Sequence, residues 1–391
     1  MIINEKRELA YISKITDLQP IPNYDRVELA TINDGWRVIV SKNDNFKIGD
    51  LCVYFEVDSK VPNNDERFKF LEKRHYKIKT IKMCGVISQG LVMSLNLFPE
   101  ITTHELFYPL TDLLKVTYSV DEDNVRKASV DPNAKYKRMS SRHQKLAKTF
   151  WWRWLYRKNW GKKLLFIFFG KKKESNLGFP KHFPFIHKTD EERVENMPWV
   201  LGYEHPLIVT EKLDGTSSTY ILERKKRNKF EFYVLSRNVR QLNENQKTYH
   251  ESNIYWENAY KYDIENKLKS YLLEHPDESY VCIQGESVGN VQGNPLHLID
   301  NDLYVFNFIT STRGLLNPIE GSIEAELLGF KWVPILDDNY LMPTDMEEFK
   351  LYADGNSLVN PEVLREGVVL RDINSTLSFK NVSRKYLLNE K

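Results

Sequence analysis

The sequence predicts an α+β protein, with a small all-β barrel ahead of a larger domain of strands and helices. Three observations predict it. Up to about residue 115, short β-branched and aromatic runs alternate with turn residues. From about residue 176 onward, such runs are mixed with a long amphipathic helical pattern. Between the two, the composition changes abruptly. The expected divisions are therefore 1–115, 116–175 and 176–391.

In the first division, ELAYISKITDLQPI gives way to RVELATI, the Asn33-Asp34-Gly35 turn and WRVIV. KIGDLCVYFEV follows, with Gly49-Asp50 as its turn signal. In KIKTIKMCG, Lys77 and Lys79 alternate with Ile78 and Thr80, as on a strand with one wet face. Several short strands joined by turns suggest a small barrel. In the last division, VTEKLDG, FEFYVLS, SYVCIQGE, LYVFNFI, REGVVLRD and TLSFKN read as strands. ENAYKYDIENKLKSYLLEH reads as one amphipathic helix, with Tyr260, Ile264, Leu268, Tyr271 and Leu272 near helical spacing. There is no internal repeat.

The middle division carries no acidic residue from Lys135 to Lys173. Its lysines and arginines interleave with Phe150, Trp151, Trp152, Trp154, Tyr156 and Trp160, and the run Leu164–Phe169 is flanked by lysines. It reads as a nucleic-acid contact through stacking and phosphate pairing. It also reads as an amphipathic element, 150–169, on an anionic membrane surface, or as a docked helix with a basic outer face.

Composition narrows the class. The chain has 391 residues, 41% hydrophobic and 28% charged, which is globular and long enough for two or three domains. A net charge of +2 points to no partner in bulk, so any nucleic-acid preference has to come from local patches. Cys52, Cys84 and Cys282 are widely spaced and fit neither a disulfide framework nor a zinc site. They suit a reducing compartment, and the expected location is cytoplasmic. Charges interrupt the N-terminus where a secretion signal needs an apolar core.

The stretch VTEKLDGTSSTY, Val209–Tyr220, carries the chemistry. Lys212 leaves a strand just before Asp214-Gly215, with Ser217 beyond. Gly215 can adopt φ > 0 and lets the backbone approach a ligand. A lysine amine attacks phosphorus only when neutral, and its reference pKa is about 10.4. The site is therefore expected to lower it, through a divalent metal or a neighbouring cation. Further along come Ser236-Arg237-Asn238, Gln284-Gly285-Glu286, Phe306 and Phe308, Arg365-Glu366-Gly367, and Ser378-Phe379-Lys380. Taken singly, the glutamates could be solvated strand ends, the phenylalanines core and Lys380 surface.

Taken together and in order, these words resemble the covalent nucleotidyltransferase superfamily of polynucleotide ligases and mRNA capping enzymes. KLDG is similar to its nucleophile motif, and SRN, QGE, VFNF, EGVV and SFK to the motifs that follow. GDLCVYFEVDSKVP, KIKTIKMCGVISQGL and FPFIHKTDEERVEN resemble the family of ATP-dependent RNA ligases in which an OB module precedes the ligase domain, the fifth RNA ligase family described.

The resemblance implies an N-terminal OB-type β-barrel, then a nucleotidyltransferase domain of antiparallel sheets with flanking helices. It implies ATP and a divalent metal, Mg2+ or Mn2+, as cofactors. Nicked or bridged RNA ends are the implied partner, in RNA repair, with no obligate protein partner. Lys212 would attack the α-phosphate of ATP. Glu211 would lie against the adenine edge, Phe306 or Phe308 would stack on the base, and Asp214 and Gly215 would complete the nucleotide site. Arg237 would contact the nucleotide or the 5′-phosphate end. Glu286 would bind the ribose or orient the lysine. Glu366 would help hold the metal through water, and Lys380 would neutralise the α-phosphate. Lys77, Lys79 and Lys82 would track RNA phosphates on the OB surface. Relatives often carry two lysines in the last motif, and here Ser378 takes the first place. That departure favours an alternative, a noncatalytic RNA-binding protein on a ligase scaffold. An adenylyltransferase that stops after loading AMP is a third reading.

Overall fold

The computed structural model describes residues 1–3, 6–118, 182–187, 189–237, 240–241 and 253–389. All of them fall in one compact unit, Met1–Ser119 with Phe179–Lys391. The basic, aromatic stretch 135–173 and the surface-membrane reading of 150–169 lie outside the described residues. Among the described residues no helix is long and apolar enough to cross a membrane.

The N-terminal region is a half-barrel. Its strands are β1 (Ala10–Ile21), β2 (Tyr24–Ile32), β3 (Trp36–Ser41), β4 (Leu51–Phe55), β5 (Thr80–Met83), β6 (Val86–Gln89) and β7 (Leu91–Ser94). Five of them form one sheet in the order β7–β4–β1–β2–β3, and β3 comes round against β6 and β7. β1 makes the curve possible. It pairs with β4 over Ala10–Lys14 and with β2 from Ile15 onward, and a register shift between Ile15 and Asp17 marks the changeover. β3 shows the alternation of a half-buried strand, with Trp36, Val38 and Val40 inward and Arg37, Ile39 and Ser41 half-exposed.

The larger region has two antiparallel sheets. The first is built on β8 (Leu207–Lys212), with β13 (Ile335–Tyr340), β14 (Gly367–Asp372) and β15 (Ser378–Val382). Its order is Glu192–Arg193, β15, β14, β8, β13, the two-residue strand pairing in parallel with β15. The second sheet contains β9 (Thr216–Lys225), β10 (Lys229–Ser236), β11 (Tyr280–Val288) and β12 (Asp302–Thr310), in the order β10–β9–β11–β12. The sequence reading did not pick out β9 or β13.

Helices flank these sheets: α1 (Ile254–Lys261), α2 (Ile264–Glu274), α3 (Pro318–Leu327), α4 (Met346–Tyr352) and the short α5 (Arg384–Asn389). The single helix expected over 257–275 is two. Asp263 takes a left-handed conformation, φ 51°, which an aspartate tolerates and a continuous helix does not. Ile264, Leu268, Tyr271 and Leu272 are buried as expected, whereas Tyr260, on the other side of the break, is exposed.

The half-barrel and the larger region meet at the segment Glu192–Asn196. Asn196 Oδ1 accepts from Tyr11 Oη at 3.0 Å and Trp36 Nε1 at 2.6 Å. Its Nδ2 donates to Glu56 at 2.9 Å and Glu192 at 2.8 Å. Gly35 closes the β2–β3 turn here. The left-handed residues of that turn are Asn33 and Asp34. Gly35 is required for space, since a Cβ would lie 1.9 Å from the Glu195 carbonyl oxygen.

Candidate active site

β8 ends at Lys212, and the next residues carry the chain from the first sheet to the second. Leu213 is buried and anchors the crossing. Gly215 does not use its freedom to take a positive φ. Its requirement is steric. A Cβ there would meet the Ser287 carbonyl oxygen at 2.4 Å and Glu286 Cγ at 3.1 Å, so only glycine lets the turn lie flat on β11.

This crossing brings carboxylates from two sheets to one amine. Lys212 Nζ donates to Glu366 Oε2 at 2.5 Å, from the residue just before β14. Glu286 projects from β11 in the other sheet and acts on Lys212 electrostatically, as does Asp214. Burial pulls the lysine's pKa down, but Glu366 and Glu286 outweigh it and hold the ammonium above its usual range. The expected lowering is therefore absent from this arrangement. The carboxylates respond in kind. Burial pushes Glu286 up to about 8, and it pushes Glu366 upward against the pull of Lys212. The Lys212 side chain keeps 26% of its surface open. Asp214 accepts a hydrogen bond from the Tyr386 hydroxyl on α5.

Register sets what shares a face with Lys212. Cross-strand partners lie on the same side of a sheet. Lys212 pairs with Gly367, Thr210 with Val369, Val369 with Lys380, and Lys380 with Arg193. Lys212, Lys380 and Arg193 therefore occupy one face, and Arg371, paired with Ser378, lies further along it. The opposite face, Leu207, Val209, Val368, Leu370 and Phe379, forms the core with Phe349. Glu211 alternates away from Lys212. Its Oε2 accepts from the Leu358 amide at 2.8 Å, and its Oε1 is buried without a hydrogen-bond partner. Burial raises its pKa.

The cations need a counterion, and Asp190 supplies it. Its Oδ2 accepts from Arg237 Nη2 at 2.7 Å, and its Oδ1 lies 3.4 Å from Lys380 Nζ and 3.9 Å from Arg7 Nη1. Burial pushes the carboxyl up, yet Lys380, Arg237 and Arg7 hold it below the usual range. Lys380 is lowered to about 8 by burial and by Arg7, with Asp190 opposing. Asp190 and Arg193 lie in FPFIHKTDEERVEN, but no local pattern marks either of them, nor Arg7 or Tyr386, as part of the site.

The remaining expected residues are more dispersed. β12 carries a bulge. Gln284 pairs with Asn307 but Gly285 pairs with Val305, so Phe306 is the extra residue. The bulge turns Phe308 into the core beside Val305, fully buried with its ring 5.3 Å from that of Tyr271. Of the two phenylalanines only Phe306 keeps an exposed surface, and Phe308 is closed to a stacking base. Asn238 lies outside the described residues. On the half-barrel, Ile78 and Thr80 are buried while Lys79 and Lys82 are exposed and Lys77 is half-buried. Lys82 shares the parity of the inward Thr80, so the three lysines do not form a single row.

Comparison with known proteins gives a consistent assignment. Residues 9–95 match an OB-fold domain model, and residues 205–387 match the RNA ligase family model. No curated protein sequence matches at significant similarity. Among solved structures, the chain is similar to Naegleria gruberi RNA ligase with PPi, at 26% identity and a TM-score of 0.71, over 98% of this chain and 99% of that one. It is also similar to a lysine-to-alanine variant of that ligase with ATP and Mn, at 27% identity and a TM-score of 0.70, over 97% and 98% of the two chains. A glutamate-to-alanine variant with AMP and Mn gives the same identity, TM-score and coverage. Residues 205–387 thus belong to the RNA ligase family, with an OB-fold domain match over residues 9–95 ahead of them.

Proposed function

We propose that this RNA ligase is ATP-dependent and joins a 3′-hydroxyl RNA end to a 5′-phosphate end through Lys212, in RNA repair. The observation that carries the reading is the partly open Lys212 amine, paired with Glu366 and faced by Glu286 from the second sheet. In the first step, Nζ loses a proton and attacks the α-phosphorus. The bond to the bridging oxygen breaks, and pyrophosphate leaves. In the second, the phosphorus–nitrogen bond breaks as AMP passes to a 5′-phosphate, forming a 5′-5′ pyrophosphate linkage. In the third, a 3′-hydroxyl attacks that end and expels AMP.

The residues suit these groups. The unpartnered Oε1 of Glu211 is an acceptor of the kind an adenine amine needs. Phe306 is the ring available for stacking. Lys380 and Arg237 supply positive charge for phosphate oxygens. Among the described residues no three His, Cys, Asp or Glu form a metal cage. An ion such as Mg2+ or Mn2+ keeps several of its waters and takes few protein ligands. Glu366 would hold such an ion, and the ion when bound would supply positive charge at the phosphate. A Glu366 engaged by such an ion would stabilise the Lys212 ammonium less than it does in the pair described above. Glu286 would orient the lysine or bind the ribose. We take residues 1–115 as the OB module, with Lys77, Lys79 and Lys82 as its RNA-backbone contacts. We take 116–175 as an insertion and 176–391 as the ligase domain.

The test is incubation with α-labelled ATP and Mg2+ or Mn2+, followed by denaturation. Label on the wild type and none on Lys212→Ala supports the reading. Absence of label on the wild type with either metal would sink it.

A further inference from the structure

Two motif residues far apart in the chain meet at a carboxylate that belongs to neither motif. Arg237 follows β10 and Lys380 sits within β15, yet both pair with Asp190, at 2.7 and 3.4 Å. Arg7, from the N-terminal strand pair ahead of the half-barrel, approaches the same carboxylate at 3.9 Å and also pairs with Glu56 at 3.4 Å. Resting on the function proposed above, we infer that Asp190 is a positioning residue, which fixes Lys380 and Arg237 over the phosphate chemistry at Lys212.

The argument is electrostatic and geometric. Lys380 is 9% exposed and lies beside Arg193 on the neighbouring strand, on the same face as Lys212. A buried ammonium among cations either sheds its proton or swings towards water unless an anion holds it. Asp190 is the carboxylate within hydrogen-bond reach of it. Arg237 is nearly half-exposed at a strand end, where a long side chain has many rotamers unless it is tethered. A single carboxylate thus orders two phosphate-binding groups and leaves their remaining donors free. Its own place is set by its neighbours, since Glu191 pairs with Arg371 at 3.5 Å and Arg193 with Asp58 at 3.0 Å.

The test is a double-mutant cycle on single-turnover formation of the lysyl-AMP in the full chain. Asp190→Asn is expected to slow the maximal rate by about tenfold or more with a smaller change in the ATP concentration at half-maximal rate. Asp190→Glu is expected to recover part of the loss. In a Lys380→Ala background, Asp190→Asn is expected to add little, because the group it positions is gone. Equal slowing in both backgrounds, or a wild-type rate for Asp190→Asn, would overturn the inference. A wild-type rate for Lys380→Ala would instead remove Lys380 from the proposed mechanism. The same cycle with Arg237→Ala, on AMP transfer to a 5′-phosphorylated RNA, then decides the inference, and additivity there overturns it. Thermal melting accompanies each variant. If Asp190→Asn does not fold, Asp190→Glu carries the cycle.

Discussion

Two of the lysine–glutamate pairs described in the larger region are of almost equal length and opposite character. Lys212 and Glu366 are 2.5 Å apart, and Lys350 and Glu195 are 2.7 Å apart. The first pair is partly open, whereas the second is sealed, with side-chain exposures of 0% and 1%. Lys350 also donates to the Val382 carbonyl at 3.1 Å, tying α4 to β15. Burial lowers its pKa to about 8, with Arg384 and Arg193 adding to the effect and Glu195 opposing it. At Lys212 the balance reverses, because Glu366 and Glu286 together outweigh burial. The difference teaches that a depressed lysine pKa here belongs to a buried joint and not to the lysine proposed as nucleophile. The marker is an amine with carboxylates from two sheets and an open side. The depressed one is a buried joint.

Substitutions separate the two roles. The largest effect expected is on chemistry. Lys212→Ala abolishes label transfer from α-labelled ATP while the melting temperature moves little, because the pair is partly open. Lys350→Met is expected to do the reverse at the level of folding. Leaving Glu195 buried and unpaired costs about 3–5 kcal/mol in denaturant unfolding, and adding Glu195→Leu recovers most of it. Failure of the second substitution to rescue would mean that Glu195 has another role.

A pH experiment sharpens the comparison from the carboxylate side. Glu286 is raised from 4.5 to about 8 in the folded protein. Between those values the folded chain keeps a proton that the unfolded chain has released, so this group's contribution to stability falls as pH rises through the window. Glu286→Gln removes that dependence. The variant should therefore gain stability relative to the metal-free wild type as pH increases from 4.5 towards 8. An unchanged difference across the window would show that Glu286 titrates normally. The smallest effect expected is from Tyr386→Phe, which removes the hydroxyl bonded to Asp214. About 0.5–1.5 kcal/mol of stability is at stake by chemical denaturation, the usual net worth of such a bond.

The parts that sequence made legible were the contiguous ones. Lys212, its strand and its turn lie side by side in the chain, so their juxtaposition was readable. Alternation placed Ile78 and Thr80 inward for the same reason. What escaped depends on partners remote in sequence. Gly35 and Gly215 are required by backbone from Glu195 and Ser287, not by their own dihedral angles. Asp190 has meaning only where Arg7, Arg237 and Lys380 converge. The α1–α2 break was hidden because apolar spacing continues across Asp263. The bulge at Phe306, which separates it from Phe308, has no residue signature of its own.

The position of β8 in its sheet has a consequence in time. Its neighbours are β13 and β14, and β14 in turn carries β15, so these three strands all come later in the chain than the lysine, and of the described strands of this sheet only the two-residue Glu192–Arg193 precedes it. Lys212 and Glu366 are separated by 154 positions. Such long-range closure is slow and leaves little partial order along the way. A ribosome that has synthesised Lys212 has therefore not yet made the strands that surround it. A chain released before β14 would bear KLDG with neither Glu366 nor Lys380 beside it. On the function proposed above, an unfinished molecule would carry Lys212 without the Glu366 and Lys380 expected to act with it.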